Sequence, residues 1–180
     1  ITRAGQPFQL IAKLLPWSLD KPQRDTILSK SVDTIEACVN FFAHPDGGYM
    51  FGRSVYPMKL RNTDLRVPVR DWWVQSEAAR ALLALALVLP ESAVWHERFT
   101  TQLNFIGSSL IDERYRGFLE CPQEDVAPAR SRWYQDRGSR QLKTHIWKDL
   151  SHESHFLMDA IQWLRMGVGP TMPALNPSAN

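Results

Sequence analysis

In the stretch Arg70-Asp71-Trp72-Trp73-Val74-Gln75-Ser76-Glu77-Ala78-Ala79-Arg80-Ala81-Leu82-Leu83, a pair of residues that could do chemistry coincides with a helix signal. Trp73 and Glu77 stand four residues apart, and the Ala/Leu run behind them has high helix propensity. On a helix, positions i and i+4 share a face. A flat aromatic beside a carboxylate suits a sugar: the ring stacks on a pyranose face while the carboxylate accepts hydroxyl hydrogen bonds. The same residues also fit an ordinary buried helix, with Trp73 in the core and Glu77 paired to Arg80 or Arg70. Spacing alone leaves both readings open.

A second set of candidates lies nearer the C-terminus. His145, His152 and His155, with Asp149 or Glu153, offer donors for a metal, and His152 and His155 have a feasible i, i+3 spacing. The set lacks a known ligand pattern, so neither a metal nor another cofactor is expected. Taken alone, His152 also fits an exposed histidine beside a cap formed by Ser151. Arg130, Arg132, Arg137 and Arg140 could grip a sulfonate or phosphate on a sugar, but such a run reads first as a solvated loop. His44 and His96 are expected at the surface, at helix ends. Cys38 falls on an amphipathic helix and reads as buried filler. Neither Cys38 nor Cys121 has metal-like or redox-like spacing, so reduced thiols in a cytoplasmic protein are expected.

The elements that must position these residues are helices. Gln6 to Trp17 has Phe8, Ile11, Leu14 and Leu15 at helical spacing, with Pro7 suited to the first turn. Pro22 to Phe42 is a second helix, with Ile27, Val32, Ile35, Val39 and Phe42 on the apolar face and Lys30, Asp33 and Glu36 on the wet one. Pro45-Asp46-Gly47-Gly48 is a strong turn signal. Tyr49 to Pro68 reads as a long loop with a small hairpin. Asp71 to Leu89 is a third helix, stopped at Pro90. Ser92 to Asp112 is a fourth, with Trp95, Phe99, Leu103, Ile106 and Leu110 on one stripe. Gly117 to Cys121 reads as a short strand, and Asp125 to Leu142 as a polar loop over one end of the domain. Ser151 to Met166 is a fifth helix. Residues 1–167 form one domain, and 168–180 a loosely held tail rich in Pro, Gly and Asn.

The connections between helices one and two and between three and four are short; those from two to three and from four to five are long and carry the unusual residues. Helix pairs joined in this way build an all-α, α/α toroid whose loops gather at one mouth. The 180 residues suffice for one domain with a sizeable core. The net charge is +2 and the arginines are scattered, so no nucleic-acid partner is expected. The longest apolar run, Ala78 to Leu89, contains Arg80 and is too short to span a bilayer, so no membrane partner is expected either. Ile1 rather than Met opens the numbering, and a longer or processed protein is expected around it.

Three segments together resemble the N-acylglucosamine 2-epimerase family, which includes cellobiose 2-epimerases and mannose isomerases. Trp72-Trp73-Val74-Gln75-Ser76-Glu77-Ala78 is similar to the family's W-W-x-Q-x-E-A. Lys143-x-x-x-Trp147-Lys148-x-x-x-His152 is similar to its K-x-x-x-W-K-x-x-Y-H. Ala4-Gly5-Gln6-Pro7-Phe8-Gln9-Leu10 sits where the family has P-G-H-x-x-E-W. The resemblance implies an (α/α)6 barrel of which this chain covers the last five helices, three inner and two outer. It implies an isomerase or epimerase that moves the C2 proton of an open-chain sugar through an enediolate, with two histidines as acid and base.

Residue by residue, the resemblance carries one catalytic histidine onto His152, the sugar-contacting tryptophans onto Trp73 and Trp147, and the hydroxyl-binding carboxylate onto Glu77. The second histidine falls on Gln6, the glutamate that orients it on Gln9, and an arginine of the site on His155. Glutamine cannot act as a base, so Gln6 removes one of the two proton-transfer groups. The resemblance therefore implies either a sugar isomerase working through His152 or a catalytically impaired, sugar-binding member. Cutting five helices from a ring leaves apolar flanks open. Self-association, or pairing with the missing N-terminal helices, is expected.

Overall fold

The computed structural model describes residues 2–3, 6–9, 21–50, 52–53, 69–89, 91–114, 116–125 and 151–166. In chain order these form β1 (Thr2–Arg3), α1 (residues 6–9), α2 (Lys21–Phe42), β2 (Gly52–Arg53), α3 (Trp72–Val88), α4 (Ala93–Ser109), a 3-10 turn at Gln123–Asp125, and α5 (Ser151–Met166). The architecture is all-α, as the periodicity predicts. Residues 10–20, 54–68, 126–150 and 167–180 lie outside the description, and with them the far end of the first expected helix, most of the Arg-rich loop and the tail. Among the described residues, no helix is long and apolar enough to cross a membrane.

The centre is α3. Thirteen of its 17 residues are buried, because the sequence offers almost no wet face: Val74, Ala78, Ala79, Ala81, Leu82, Leu83, Ala84 and Leu85 are all at or near zero exposure. A helix apolar all round is stable only when covered all round. Each large aliphatic side chain it buries contributes about 1.5–3 kcal/mol. One side is covered by α4, another by α5. Ile35, Cys38 and Phe42 of α2 join the same cluster, with Phe8 and Tyr49 stacked tilted at 5.2 Å between ring centres.

Both ends of α3 are tied down. Asp71 is the N-cap residue by backbone conformation, without a side-chain capping bond. The Trp72 N–H, which a helix leaves without an internal partner, instead donates to the Glu120 carbonyl at 2.9 Å. At the other end the Leu89 N–H donates to the Leu85 carbonyl, and Ser92 N–H to Leu89 carbonyl closes the short turn into α4.

Several expectations are corrected. Gly52–Arg53 pairs antiparallel with Thr2–Arg3, a long-range pairing, while the small hairpin expected within Tyr49 to Pro68 falls mostly on residues 54–68, outside the described ones. Gly117 to Cys121 is not a strand: it makes a single bridge, Ile111 to Phe118, where Arg116 and Gly117 reverse the chain at positive φ. α4 ends at Ser109, three residues before the expected Asp112. Leu103 is 41 % exposed, while Gln102 and Phe105 take the buried face beside Trp95 and Ile106. Gln102 wins because its amide finds partners inside: it donates to the Gln75 carbonyl and to Gln75 Oε1. His44 follows the end of α2, partly exposed at 16 %, and its Nδ1 accepts from the Asp46 N–H in the turn at 45–48. His96 is exposed and Cys38 is buried, as expected.

Candidate functional site

The two adjacent tryptophans of α3 face different neighbours. The Trp72 side chain is buried, and its indole N–H donates to Glu153 Oε2 of α5 at 3.1 Å, which fixes the helix pair. Trp73 is half-buried and lies against the His152 ring, 5.4 Å between centres and tilted by 40°. One residue of rotation, about 100°, separates a packing role from a place beside a histidine.

Glu77 follows Trp73 by one turn and is wholly buried. Its Oε1 accepts from His152 Nδ1 at 2.7 Å and from Gln9 Nε2 at 3.4 Å. Its Oε2 has no hydrogen-bond partner among the described residues. Arg80 Nη1 stands 3.8 Å from it, one turn further along α3. Arg80 in turn donates through Nε to Asp159 Oδ2 of α5. Three elements, α1, α3 and α5, thus converge on one carboxylate.

The Glu77 contact decides the tautomer of the imidazole. A carboxylate only accepts, so the proton sits on Nδ1, and in the neutral ring Nε2 keeps its lone pair. The side chain of His152 is 25 % exposed, against none for Glu77. A half-open histidine oriented by a buried carboxylate, with an indole alongside, can take and return a proton.

Of the expected site residues, the structure brings together Trp73, Glu77, Gln9 and His152. His152 is the second residue of α5, inside its first turn. Gln6 is exposed at the start of α1, three residues before Gln9. His155 is exposed. Trp147 lies outside the described residues, as do His145, Asp149 and the four arginines from Arg130 to Arg140. Among the described residues, no group of three or more His, Cys, Asp or Glu side chains is arranged to hold a metal.

Sequence reasoning missed Asp159. Its signal was available: it follows His152 by seven residues, two helical turns, and so repeats the face that meets Glu77 and Arg80 at i, i+3 on the facing helix. It also missed the neighbouring Arg70 cluster. Arg70 is 1 % exposed. It donates through Nε and Nη2 to both oxygens of Asp125, through Nη2 to Glu124, and through Nη1 to the carbonyls of Asp46 and Gly47. Burial opposes its charge, but Asp125 and then Glu124 outweigh that and hold its pKa above the ordinary guanidinium value.

No protein-family model and no curated protein matches the chain. Among solved structures, it is similar to a crystal structure of D-mannose isomerase, with a TM-score of 0.54 and 19% identity, over 67% of this chain and 29% of that one. The chain therefore spans less than a third of that isomerase. At this identity the likeness is one of fold: the helices are arranged as in part of a helical sugar isomerase.

Proposed function

We propose that this chain carries one wall of a sugar isomerase site, in which His152 moves the C2 proton of an open-chain aldose or ketose. The observation that carries the reading is the 2.7 Å contact from His152 Nδ1 to buried Glu77, with the Trp73 ring beside the same imidazole. The helical likeness to a D-mannose isomerase is consistent with it. In this reading Nε2 of His152 takes the proton from C2. The C2–H electron pair becomes the C1=C2 double bond, and the carbonyl pair moves onto O1 to give an enediolate. Return of that proton to C1, with transfer of the O2 proton to O1, leaves the ketose. Trp73 stacks on the sugar, and the charge on Glu77 favours the imidazolium that forms in between.

One base on one face suffices for that exchange. Epimerisation at C2 needs protons handled on both faces, and Gln6 supplies none. We therefore place the chain with the isomerases rather than the epimerases. Incubation with mannose, glucose, fructose or cellobiose in heavy water is expected to put deuterium at C2 of an aldose or C1 of fructose, read by proton NMR. No exchange with any of them, under conditions where the protein is folded, would remove the catalytic reading.

A second reading, sugar binding without turnover, is favoured by one observation: Gln9 spends its amide N–H on Glu77, and Gln6 is exposed. Calorimetric binding of a sugar with no isotope exchange supports it. The Gln6→His, Gln9→Glu double variant separates the two, since activity that appears only there marks a lost reaction.

The same reading calls for further helices to complete the cleft. Leu157, Ile161 and Leu164 form a row along α5, and they and Met158 are between 46 % and 66 % exposed. They flank the buried face of Phe156, Ala160 and Trp163. We propose that helices of the same toroid, from this protein or a second copy, cover that row. Sedimentation of residues 1–180 alone at micromolar concentration tests this, and a clean monomer there counts against a simple half-barrel with an open edge.

A further inference from the structure

We infer that Arg80 and Asp159 are positioning residues that set how much negative charge His152 meets at Glu77. The inference deepens the isomerase reading and rests on it for its catalytic consequence, though not for its geometry.

Two helices are joined by two polar rungs. Glu77 and Arg80 are i, i+3 on α3; His152 and Asp159 are i, i+7 on α5. The first rung is His152 Nδ1 to Glu77 Oε1, and the second is Arg80 Nε to Asp159 Oδ2. Along the path the groups alternate: carboxylate, guanidinium, carboxylate, imidazole. Arg80 is 13 % exposed and Asp159 23 %, so solvent screens these charges only in part.

The geometry is asymmetric. Arg80 gives its Nε to Asp159 and leaves only Nη1, at 3.8 Å, near Glu77 Oε2. That distance is beyond hydrogen bonding. Guanidinium forms its strongest pair when two parallel N–H groups meet both oxygens of one carboxylate. Asp159 draws Arg80 away from such an arrangement with Glu77. The consequence is that Oε2 stays unbonded among the described residues and the carboxylate remains available to His152. Among the described residues, the other groups around His152 do not play this part. Gln9 and Trp73 are uncharged, Glu153 is turned to the Trp72 indole, and His155 is exposed.

Two substitutions then act in opposite directions. In Asp159→Asn a negative charge is lost and Arg80 is released to pair with Glu77, so imidazolium is disfavoured. In Arg80→Gln a positive charge is lost beside Glu77, so imidazolium is favoured. The test follows the ring nitrogen resonances of His152 by NMR in the free protein, with all variants compared at one pH. The expected result is an imidazolium-to-imidazole ratio at least about twofold lower in Asp159→Asn and at least about twofold higher in Arg80→Gln.

General loosening of the α3–α5 contact would move both variants the same way, toward a free histidine. A shift of common sign, or none in either variant, overturns the inference. Asp159→Asn is nearly isosteric at a partly exposed position; if Arg80→Gln does not fold, a lower ratio in Asp159→Asn supports the inference, and an unchanged or higher one overturns it. The readout needs no sugar. Opposite shifts without isotope exchange on any sugar leave the tuning in place and remove the isomerase reading. Exchange without the shifts does the reverse.

Discussion

Two buried polar clusters meet the N-terminal part of α3, one around Arg70 just ahead of the helix and Gln75 within it, the other around Glu77, and they are built on opposite principles. Around Arg70 and Gln75 nearly every polar atom is spoken for. Arg70 reaches two carboxylates and two carbonyls, and Gln75 exchanges bonds with Tyr49 on both its amide atoms, donating to the Tyr49 carbonyl at 2.7 Å and accepting from its N–H at 2.9 Å. Around Glu77 one oxygen takes two donors while the other has none among the described residues, and the principal donor is a histidine open to solvent on one side. A satisfied network rigidifies the fold; an incompletely satisfied one costs stability and is kept where it serves a function. The contrast fits a structural role for the first cluster and the proposed chemistry for the second.

The sharpest way to break that contrast is Arg70→Met. It leaves Asp125 buried without its cation, and an uncompensated buried charge costs about 3–5 kcal/mol. Urea unfolding should register that loss. If it costs under about 1 kcal/mol, the first cluster is not the structural one.

Alkaline pH attacks the buried thiols. Burial pushes the Cys121 thiol up to about 12, reinforced by Asp71, Asp125 and Glu120 and opposed by Arg70; burial alone pushes Cys38 up to about 11. Both thiols are ordinarily near 9.0, so above that value the unfolded chain gives up protons that the folded chain keeps. Their contribution is whole below pH 9 and is lost as the pH rises through about 11 and 12. Tyr49, raised to about 12 by burial against the opposing effect of Arg98, adds in the same sense. Unfolding midpoints should fall steadily as the pH rises above about 9, and thiol-labelling reagents should react only as the chain unfolds.

Gly48→Ala is the next largest. Gly48 has a φ of +71°, and an added Cβ would stand 2.5 Å from the Phe105 ring and 2.9 Å from Gln75 Oε1. Strain and clash together should cost about 1–3 kcal/mol, with thermal unfolding as the measure.

Glu77→Gln closes the series with the smallest effect on stability and the largest on chemistry. The amide keeps an oxygen for His152 and Gln9, so the expected loss in stability is about 1 kcal/mol. The expected loss in C2 isotope exchange is about a hundredfold or more, because a neutral partner no longer favours the imidazolium. Equal stability losses for Glu77→Gln and Arg70→Met would erase the difference between the two clusters.

Much of the fold was legible in the residues. The apolar spacing of Ile35 and Phe42 and the uninterrupted run from Ala81 to Leu89 place α2 and α3 within a residue or two. Leu103 shows where period counting stops: it sits on the expected stripe yet is exposed, because Gln102 has partners on Gln75 that no count of apolar positions reveals. The site divides in the same way. Trp73 and Glu77 share a face because a helix repeats every 3.6 residues, and that much is local.

The chain by itself determined its helices, the burial of α3 and the pairing of an indole with a carboxylate along one face, since each follows from backbone geometry and the cost of exposing apolar side chains. Only the tertiary structure decided that His152, 75 residues away, closes on Glu77 and that Asp159 draws off Arg80. Those contacts depend on the angle at which α5 crosses α3, and that angle is fixed by Phe156, Ala160 and Trp163 fitting the core. Packing of whole surfaces sets it, and no spacing within one segment encodes it.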